Sequence, residues 1–500
     1  MPNFSTATPR SVASRSPTST GTRCSPTSRS PSSSRASTPG THRATPSVGV
    51  STTSATWSAR CCSARSTSPP RRLCPNSAAD RGTTEQIGAT EVDFDYSPKV
   101  LELQAKLTKF MQERVLPAEA IAEEQLASKP DHWGAPPIVA DLKAAAKREG
   151  LWNLFLPARE GAGLTNLEYA PLAELTGWSP LIAPEAFNCN PPDTGNMELL
   201  HLYGTDEQKR EWLEPLLAGE FRSCFSMTEP DVASSDANNV RFEIAEDGDD
   251  WVLTGRKWWS TAALRDDCRV AMVMGVTDPG APVGNRHSIV LVPMDTPGLT
   301  IVRSTTVLGF TDRHEGGHGE VVFDKVRVPK ANLLGPRGKG FAVAQARLGP
   351  GRIHHCMRLI GMAERAIALM TERARTRVAF GRPLADEGVV QATVADARIH
   401  LDAARLLVLR AAWRMDVEGT KAARHDIAAA KVMVPLTVKQ IVDDAMQVFG
   451  GAGLSQDTIL PVLYAQARFL QIADGPDQVH RRSLARAEFA ATPVLKEVRG

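Results

Sequence analysis

The feature that most constrains this chain is a hydrophobic period that changes twice. From Ser97-Pro98 onward, apolar residues fall at Val100, Leu103, Leu107, Phe110 and Met111. That is helical spacing behind a Ser cap with Pro at the first helical position. Residues 137 to 150, 166 to 176 and 205 to 217 read as further helices, the last opening on a Thr205–Gln208 capping-box pattern. At about residue 221 the pattern becomes short β-rich runs: Val240–Ile244, Trp251–Leu253, Val270–Met274, Ser288–Val292 and Glu320–Phe323. Turn clusters such as Asp247-Gly248-Asp249-Asp250 separate them, which predicts a small antiparallel barrel or sandwich. After Pro329 the helical period returns, with one long helix through Ile353, Met357, Ile360, Ile367 and Met370. Ala-rich helices over Val390–Met415 and Ile427–Val448 suit close helix packing. The reading is an α+β chain with a helical domain over 93–220, a β-domain over 221–335 and a helical bundle over 336–495.

Composition matters most for what precedes this body. Residues 1 to 79 contain no Asp, Glu or Lys but ten Arg, amid Ser, Thr and Pro. Such a stretch offers little apolar surface against its ordering entropy, so 1–92 is expected to be a disordered tail. A transit peptide, a basic arm for nucleic acid and a misassigned start codon would all give this composition. The last is favoured, because prolines at 2, 9, 17, 26, 31, 39 and 46 forbid a long amphipathic helix. The chain carries +2 overall, but residues 81 to 500 carry −7, so nucleic acid is not an expected partner of the body. Cys189, Cys224, Cys268 and Cys356 are scattered singly, the pattern of reduced, buried thiols rather than a disulfide framework or zinc site. No apolar run approaches the roughly 18 residues of a membrane span. The expected location is the cytoplasm of a bacterium, or the mitochondrion or peroxisome of a eukaryote.

Two stretches at the β-region carry candidate chemistry. Phe225-Ser226-Met227-Thr228-Glu229-Pro230, followed by Ser234-Ser235-Asp236, offers hydroxyls and backbone N–H groups to a planar heterocycle or a phosphate, although it also reads as an ordinary strand exit. Gly255-Arg256-Lys257-Trp258-Trp259-Ser260-Thr261 suggests an aromatic wall with a hydrogen-bonding edge, although Trp is also a frequent core residue. In this order between helical regions, the two resemble the acyl-CoA dehydrogenase family of flavoenzymes, over about residues 95 to 490. The resemblance implies FAD, with Met227, Thr228, Ser234, Trp259 and Thr261 as isoalloxazine or pyrophosphate contacts. It also implies a C-terminal four-helix bundle. Further on, Arg377-Val378-Ala379-Phe380-Gly381, Gln391 and Gln447-Val448-Phe449-Gly450-Gly451 match family segments that hold the adenosine diphosphate part across a subunit interface. Arg377, Phe380, Gln391, Gln447, Gly450 and Gly451 are therefore implied contacts, and the protein an implied homodimer or homotetramer. Gly450-Gly451 suits close backbone approach to a pyrophosphate and equally a helix C-cap.

Taken alone, Asp474-Gly475-Pro476-Asp477 is a surface turn. Counted forward from Gly450 without a gap, however, the resemblance puts Asp474 where most family members carry the catalytic Glu. The alternative family position, ahead of Arg352, is Gly351 and holds no carboxylate. The implied reaction has Asp474 abstract the α-proton of an acyl-CoA thioester while the β-hydride passes to flavin N5, giving trans-2-enoyl-CoA. The Asp474 N–H and a flavin ribityl hydroxyl would bind the thioester oxygen, and burial against flavin and acyl chain is expected to raise the Asp474 pKa toward the working pH. Arg352 is an implied CoA contact, and an electron-transfer flavoprotein the implied electron acceptor.

The sequence departs from the family at Asp for Glu, shorter by about 1.5 Å, at Pro476 for a flavin-contacting hydroxyl residue, which leaves Gln478, and at Ala379 for Thr. Gly351-Arg352-Ile353-His354-His355-Cys356 and Ala473-Asp474-Gly475-Pro476-Asp477 resemble the branch whose animal members are fused to a phosphotransferase-like kinase domain. That branch is associated with 4-hydroxyacyl-CoA breakdown through phosphorylated intermediates and with branched or long acyl chains. A nitroalkane oxidase-like flavin oxidase and a non-catalytic DNA-associated homologue are the rival readings. No metal site is expected: His314 and His318 read as part of a Gly-rich hairpin loop lacking a third ligand, and His354-His355, successive on a helix, cannot face one ion.

Overall fold

The computed structural model describes residues 95–156 and 161–491, and the Arg-rich tail lies outside them. The chain begins with α1 (Pro98–Phe110), which passes through a π turn (Met111–Val115) into α2 (Leu116–Ser128). Ser97 Oγ accepts from Val100 N, the cap the sequence predicts. There follow α3 (Ile138–Arg148), α4 (Asn166–Thr176), α5 (Ala183–Ala186), α6 (Asp193–Tyr203) and α7 (Asp206–Gln208), which continues through a second π turn (Lys209–Leu213) into α8 (Glu214–Ala218). The Thr205–Gln208 capping box is formed in both directions, each bond 3.2 Å.

Eight strands then make one sheet: β1 (Arg222–Ser226), β2 (Glu243–Asp247), β3 (Asp250–Thr261), β4 (Cys268–Val276), β5 (His287–Pro293), β6 (Leu299–Thr305), β7 (His318–Pro329) and β8 (Leu333–Leu334). Their order is β6-β7-β3-β2-β4-β5-β8, with β1 beside β4. The pairings are mainly antiparallel, as expected, but β1 and the start of β2 run parallel to β4. β2 begins later than the apolar run Val240–Ile244 predicts. The reason is local: the Arg241 and Phe242 N–H groups donate to the Glu229 carboxylate at 2.9 and 3.1 Å instead of to a neighbouring strand.

The C-terminal region opens with α9 (Gly340–Thr376), turns at a hairpin of β9 (Val378–Ala379) and β10 (Arg382–Pro383), and continues as α10 (Gly388–Glu418) and α11 (Arg424–Phe449). Short α12 (Gly451–Leu454), α13 (Leu460–Phe469) and α14 (Asp477–Ala491) complete it. α9 is its axis, packing on α10 and α11 and also on α4 and α6 of the first region. The α4–α9 crossing is backbone on backbone: a Cβ on Gly361 would fall 1.8 Å from the Glu174 carbonyl oxygen, and one on Gly177 would fall 2.0 Å from that of Arg358. Glycine at both positions is what lets the first region reach the part of α9 that carries the site.

Between the first region and the sheet lies a buried ionic cluster. Glu185 accepts from Arg222 Nη2 and Lys143 Nζ at 2.5 Å each, and from Arg265 Nη2 at 3.3 Å. Burial pushes the Glu185 carboxyl up, but the three cations more than offset this and hold it well below the usual range. Cys189, Cys224, Cys268 and Cys356 are free and buried, as their sequence settings predict. Among the described residues no helix is long and apolar enough to cross a membrane.

Candidate active site

The chain between α13 and α14 is wound into a tight turn around Asp474. The Ile472 and Ala473 N–H groups both donate to the Phe469 carbonyl, at 2.9 and 3.0 Å, and Asp477 N returns to the Gln471 carbonyl at 3.1 Å. Asp474 (φ 56°) and Gly475 (φ 103°) sit in the left-handed region. A Cβ-bearing residue pays about 1–2 kcal/mol there, least for Asp and Asn. Two cations pin the turn's carbonyls: Arg352 Nε donates to the Asp474 carbonyl at 2.9 Å, and buried Lys431 donates to that of Leu470. Arg352, read from sequence as a CoA contact, is thus engaged in holding the turn.

The Asp474 side chain opens on a cleft with Pro191, Pro192, Thr194 and Gly195 on one side and Arg347, Gly351, His355 and Arg358 of α9 on the other. Arg347 is held by Asn196 Oδ1 at 3.2 Å and lies over the Phe225 ring at 4.4 Å. His355 Nε2 lies 3.4 Å from Asp474 Oδ2, and its Nδ1 is 3.2 Å from Arg358 Nη2. Because a guanidinium only donates, Nδ1 must accept, which places the imidazole proton on Nε2, toward Asp474. Burial lowers the His355 pKa to about 3, so the ring is neutral at neutral pH and presents its Nε2 N–H toward Asp474 at 3.4 Å.

The rise expected for Asp474 packed against flavin and acyl chain is not what the protein's own groups impose. Burial does push it up, but His355, Arg347, Arg352 and Lys431 together bring it below the usual carboxylate value. Sequence reasoning missed His355, Arg358 and Lys431. The His-His pair carried a signal, since adjacent helical positions face different ways: His354 is buried 5.1 Å from Tyr169, while His355 turns to the cleft.

The β-region motifs come together at the ends of β1 and β3. Thr228 Oγ1 donates to the Trp258 carbonyl at 2.8 Å, and Trp258 N donates back to that of Thr228 at 3.1 Å. Lys257, fully buried, donates to the Met227 carbonyl at 2.8 Å and to Glu229 at 2.9 Å, which fixes the segment carrying Met227 and Thr228. Ser234 is tied to the same loop, its Oγ accepting from Glu229 N at 2.9 Å. Trp259 takes φ 54° where the β3–β7 register shifts, a bulge that turns its ring out of the strand pattern. The ring meets His318 at 5.3 Å and Phe469 of α13 at 6.2 Å. This aromatic contact joins the sheet to the helix that delivers Asp474.

His318 is not in a loop, as its Gly-rich surroundings suggested. It is the first residue of β7, paired with Thr261 and 2 % exposed. His314 is buried in a short turn, and no group of three metal-ligating residues exists among the described residues.

The remaining predicted cofactor residues lie at the surface. Arg377 directly precedes β9, and Phe380 stands in the turn of the β9–β10 hairpin, wholly exposed at φ 51°. Gln391, in the first turns of α10, donates to the Ala385 carbonyl. Gln447, Gly450 and Gly451 are exposed at the end of α11, and a Cβ on either glycine would meet nothing within 4 Å. Gln478 is exposed on the first turn of α14. A hydroxyl-and-aromatic wall inside, with an unfilled glycine corner and a bare aromatic outside, fits the two ends of a flavin dinucleotide. Three of the positive-φ non-glycine residues, Trp259, Phe380 and Asp474, are candidate site residues, and strained backbone of this kind gathers at functional sites.

Comparison with known proteins agrees with the architecture. Residues 97–220, 224–326 and 338–489 match the N-terminal, middle and C-terminal domain models of acyl-CoA dehydrogenase. The Mycobacterium tuberculosis protein named "Probable acyl-CoA dehydrogenase FadE2" is 56% identical over 400 residues, 80% of this chain and 97% of that protein. Acyl-CoA dehydrogenase family member 11 of Homo sapiens is 49% identical over 408 residues, covering 81% of this chain and 52% of its own length, so the chain spans about half of that relative. Among solved structures, butyryl-CoA dehydrogenase from Megasphaera elsdenii superposes with a TM-score of 0.68 at 25% identity, covering 80% of this chain and 100% of that one. A glutaryl-CoA dehydrogenase from Mycobacterium smegmatis, solved in complex with FADH2, shares the fold with a TM-score of 0.66 at 23% identity, over 80% and 96% of the two chains. Three consecutive domain matches and a relative matched over nearly its full length establish that this chain belongs to the acyl-CoA dehydrogenase family, whose members generally use FAD.

Proposed function

We propose that the protein converts an acyl-CoA thioester to its trans-2-enoyl-CoA, with Asp474 as the base that removes the α-proton. The observation that carries this reading is Asp474 itself, held on a strained turn with its carboxylate directed into a cleft and His355 Nε2 3.4 Å away. FAD, when bound, supplies the acceptor for the β-hydride, and an electron-transfer flavoprotein takes the electrons onward. Met227, Thr228, Ser234, Trp259 and Thr261 would hold its ring and pyrophosphate. Arg377, Phe380, Gln391, Gln447, Gly450, Gly451 and Gln478 would hold the remainder, some from a second copy of the chain in a homodimer or homotetramer.

Asp474 is a weak base in the water-accessible cleft. An acyl chain filling the cleft removes water from the carboxylate, which raises its pKa and its basicity together. Arg347 and Arg358 give the cleft a cationic side suited to a hydroxyl or anionic group on the acyl chain, so 4-hydroxy and 4-phospho thioesters belong in the substrate screen. The test is purification of the protein, inspection for a bound yellow chromophore, and dye-coupled turnover of a panel of acyl-CoAs by wild type and Asp474→Asn. Removal of a general base costs about 10²–10⁴-fold; full turnover by the variant sinks the assignment.

The low Asp474 pKa is also what an already acidic substrate requires, which favours a nitroalkane oxidase-like activity as the second reading. Rapid oxygen consumption with a nitroalkane and none of the dye-coupled turnover with acyl-CoA would establish it instead.

A further inference from the structure

Arg347 and Asp474 line the same cleft, one a guanidinium and the other a carboxylate. Opposite charges drawn into a partly dry site ordinarily close into an ion pair. These two do not: among the described residues Asp474 is paired with His355 alone, and Arg347 with no carboxylate. The arginine is held from the other side, its Nε 3.2 Å from Asn196 Oδ1 and its guanidinium 4.4 Å over the Phe225 ring.

What holds it reaches back to the ionic cluster between the first region and the sheet. Asn196 Nδ2 lies 2.9 Å from Ser223 Oγ, Ser223 Oγ 2.5 Å from Asp193 Oδ1, and Asp193 Oδ2 3.5 Å from Arg222 Nη1, the arginine bound to Glu185. A guanidinium only donates, so the Asn196 amide oxygen must face Arg347 and its NH2 must face Ser223. Ser223 Oγ accepts there, and its backbone N–H donates to Asp193 Oδ1 at 2.8 Å. Asp193, Asn196 and Ser223 are wholly buried, so no water replaces these contacts. Ser223 and Phe225 stand two apart on β1 and leave it on the same face, one fixing Asn196 and the other carrying the guanidinium. Gly195 gives the arginine stem its room against α6, since a Cβ there would fall 2.5 Å from Arg347 Cγ.

The charges around the pair leave Arg347 one place to go. Asp474, Glu198 and Asp193 act on Arg347, while His355, Arg347 and Arg352 of α9 and Lys431 of α11 act on Asp474. Burial raises the Glu198 pKa to about 8, so this carboxyl is mostly protonated at neutral pH and does not compete for the arginine. Asp193 is engaged by Ser223 and Arg222. Asp474 is therefore the carboxylate to which a released Arg347 would turn.

We propose that Asn196, backed by Ser223 and Asp193, is a positioning residue that tethers Arg347 away from Asp474 and so keeps the carboxylate free to act. The proposal rests on the reading of Asp474 as the base and deepens it. An arginine closed on Asp474 would occupy the oxygen that takes the proton and weaken it as a base. Tethered, the same arginine leaves Asp474 open and stays available to the cleft.

The experiment is a pH profile of kcat and kcat/KM with the FAD-loaded enzyme and whichever substrate it turns over, an acyl-CoA or a nitroalkane. Arg347→Met removes the cation, so the acid limb should move up. Asn196→Leu keeps the cation but releases it, so the limb should move down by about one unit, the lower end of what an adjacent Arg does to an Asp. Plateau kcat should fall about tenfold, because the base is both weaker and engaged. The double variant should show the profile of Arg347→Met alone, since without a guanidinium the tether has nothing to hold. A general loosening of the fold would lower kcat in both backgrounds without reversing the direction of the limb. An acid limb that stays or moves up in Asn196→Leu overturns the proposal, as does a double variant less active than Arg347→Met. If Asn196→Leu does not fold, Ser223→Ala, which removes only the hydroxyl that fixes the amide, should move the limb down by less, and an unchanged limb overturns the proposal. Should the wild type turn over neither substrate, the reading of Asp474 as the base fails on its own. The tether is then read from denaturant midpoints of the two single variants and the double: a double no less stable than the weaker single supports it, and full additivity overturns it.

Discussion

Replacing His355 by Phe tests the electrostatics of the proposed base directly. The ring volume is kept, so α9 should not repack, but the Nε2 donor facing Asp474 is lost. A hydrogen bond to a charged group stabilises by roughly 1.5–3 kcal/mol at good geometry. At 3.4 Å the Nε2 N–H dipole facing Asp474 gains less than that, so about 1 kcal/mol is assigned to it. One pKa unit is about 1.36 kcal/mol, so the Asp474 pKa should rise by about 0.7 unit. The sign is definite, because removing a donor from a carboxylate favours its protonated form. In a pH profile of kcat/KM with the FAD-loaded enzyme, the acid limb should move up by that amount, while the rate on the plateau rises slightly with the stronger base. His355→Gln, which can keep an N–H near the Nε2 position, should move it less. An acid limb that stays in place or moves down in His355→Phe would refute the claim that the imidazole acts on Asp474 as a neutral donor.

Arg352→Met removes the guanidinium that donates to the Asp474 carbonyl. The loosened turn should lower kcat/KM by about 10- to 100-fold, for about 1–3 kcal/mol of lost anchoring, while the FAD content of the purified protein stays unchanged. His354 is buried between Tyr169 and Phe155, and burial lowers its pKa from 6.5 to about 3. A base kept neutral in the fold supplies stability that is fully present above its unfolded pKa and is lost as pH falls toward the folded one. His354→Phe should therefore gain on wild type by a few kcal/mol between about pH 6.5 and 3, read from denaturant midpoints at each pH.

What the sequence made legible is what short-range chemistry decides. The Ser97 and Thr205 caps are local hydrogen bonds, and the helix limits they predict are present. The change from period 3.6 to short runs and back is a statement about which face of each element is buried, and it gave the order of the layers. The turn at Asp474-Gly475-Pro476-Asp477 is likewise read from local residue types, and it is present. The rest depends on partners far away in the chain. Val240, Arg241 and Phe242 look like strand because nothing nearby says that the Glu229 carboxylate will take the N–H groups of Arg241 and Phe242. The π turns at Met111–Val115 and Lys209–Leu213 leave no mark in residue spacing. His318 lies in a glycine-rich stretch, yet its pairing with Thr261, 57 residues away, makes it strand. The low Asp474 pKa was not legible because four cationic or donor groups from α9 and α11 converge on it, and only their arrangement in space shows that they outweigh burial.

The Glu185 cluster carries a consequence for how this sequence can drift. Its carboxylate is shared by Arg222, Arg265 and Lys143, which stand on parts of the chain separated by tens of residues. Losing the Glu185 carboxylate would leave the buried Arg222 and Arg265 with only Asp193 and Asp267 as partners, a change that costs more than the set contributes as a whole. Substitutions here are thus tolerated only in concert. The four positions should be inherited together, as a block that ties the helical region to the sheet, while the cleft a short distance away remains free to change one residue at a time.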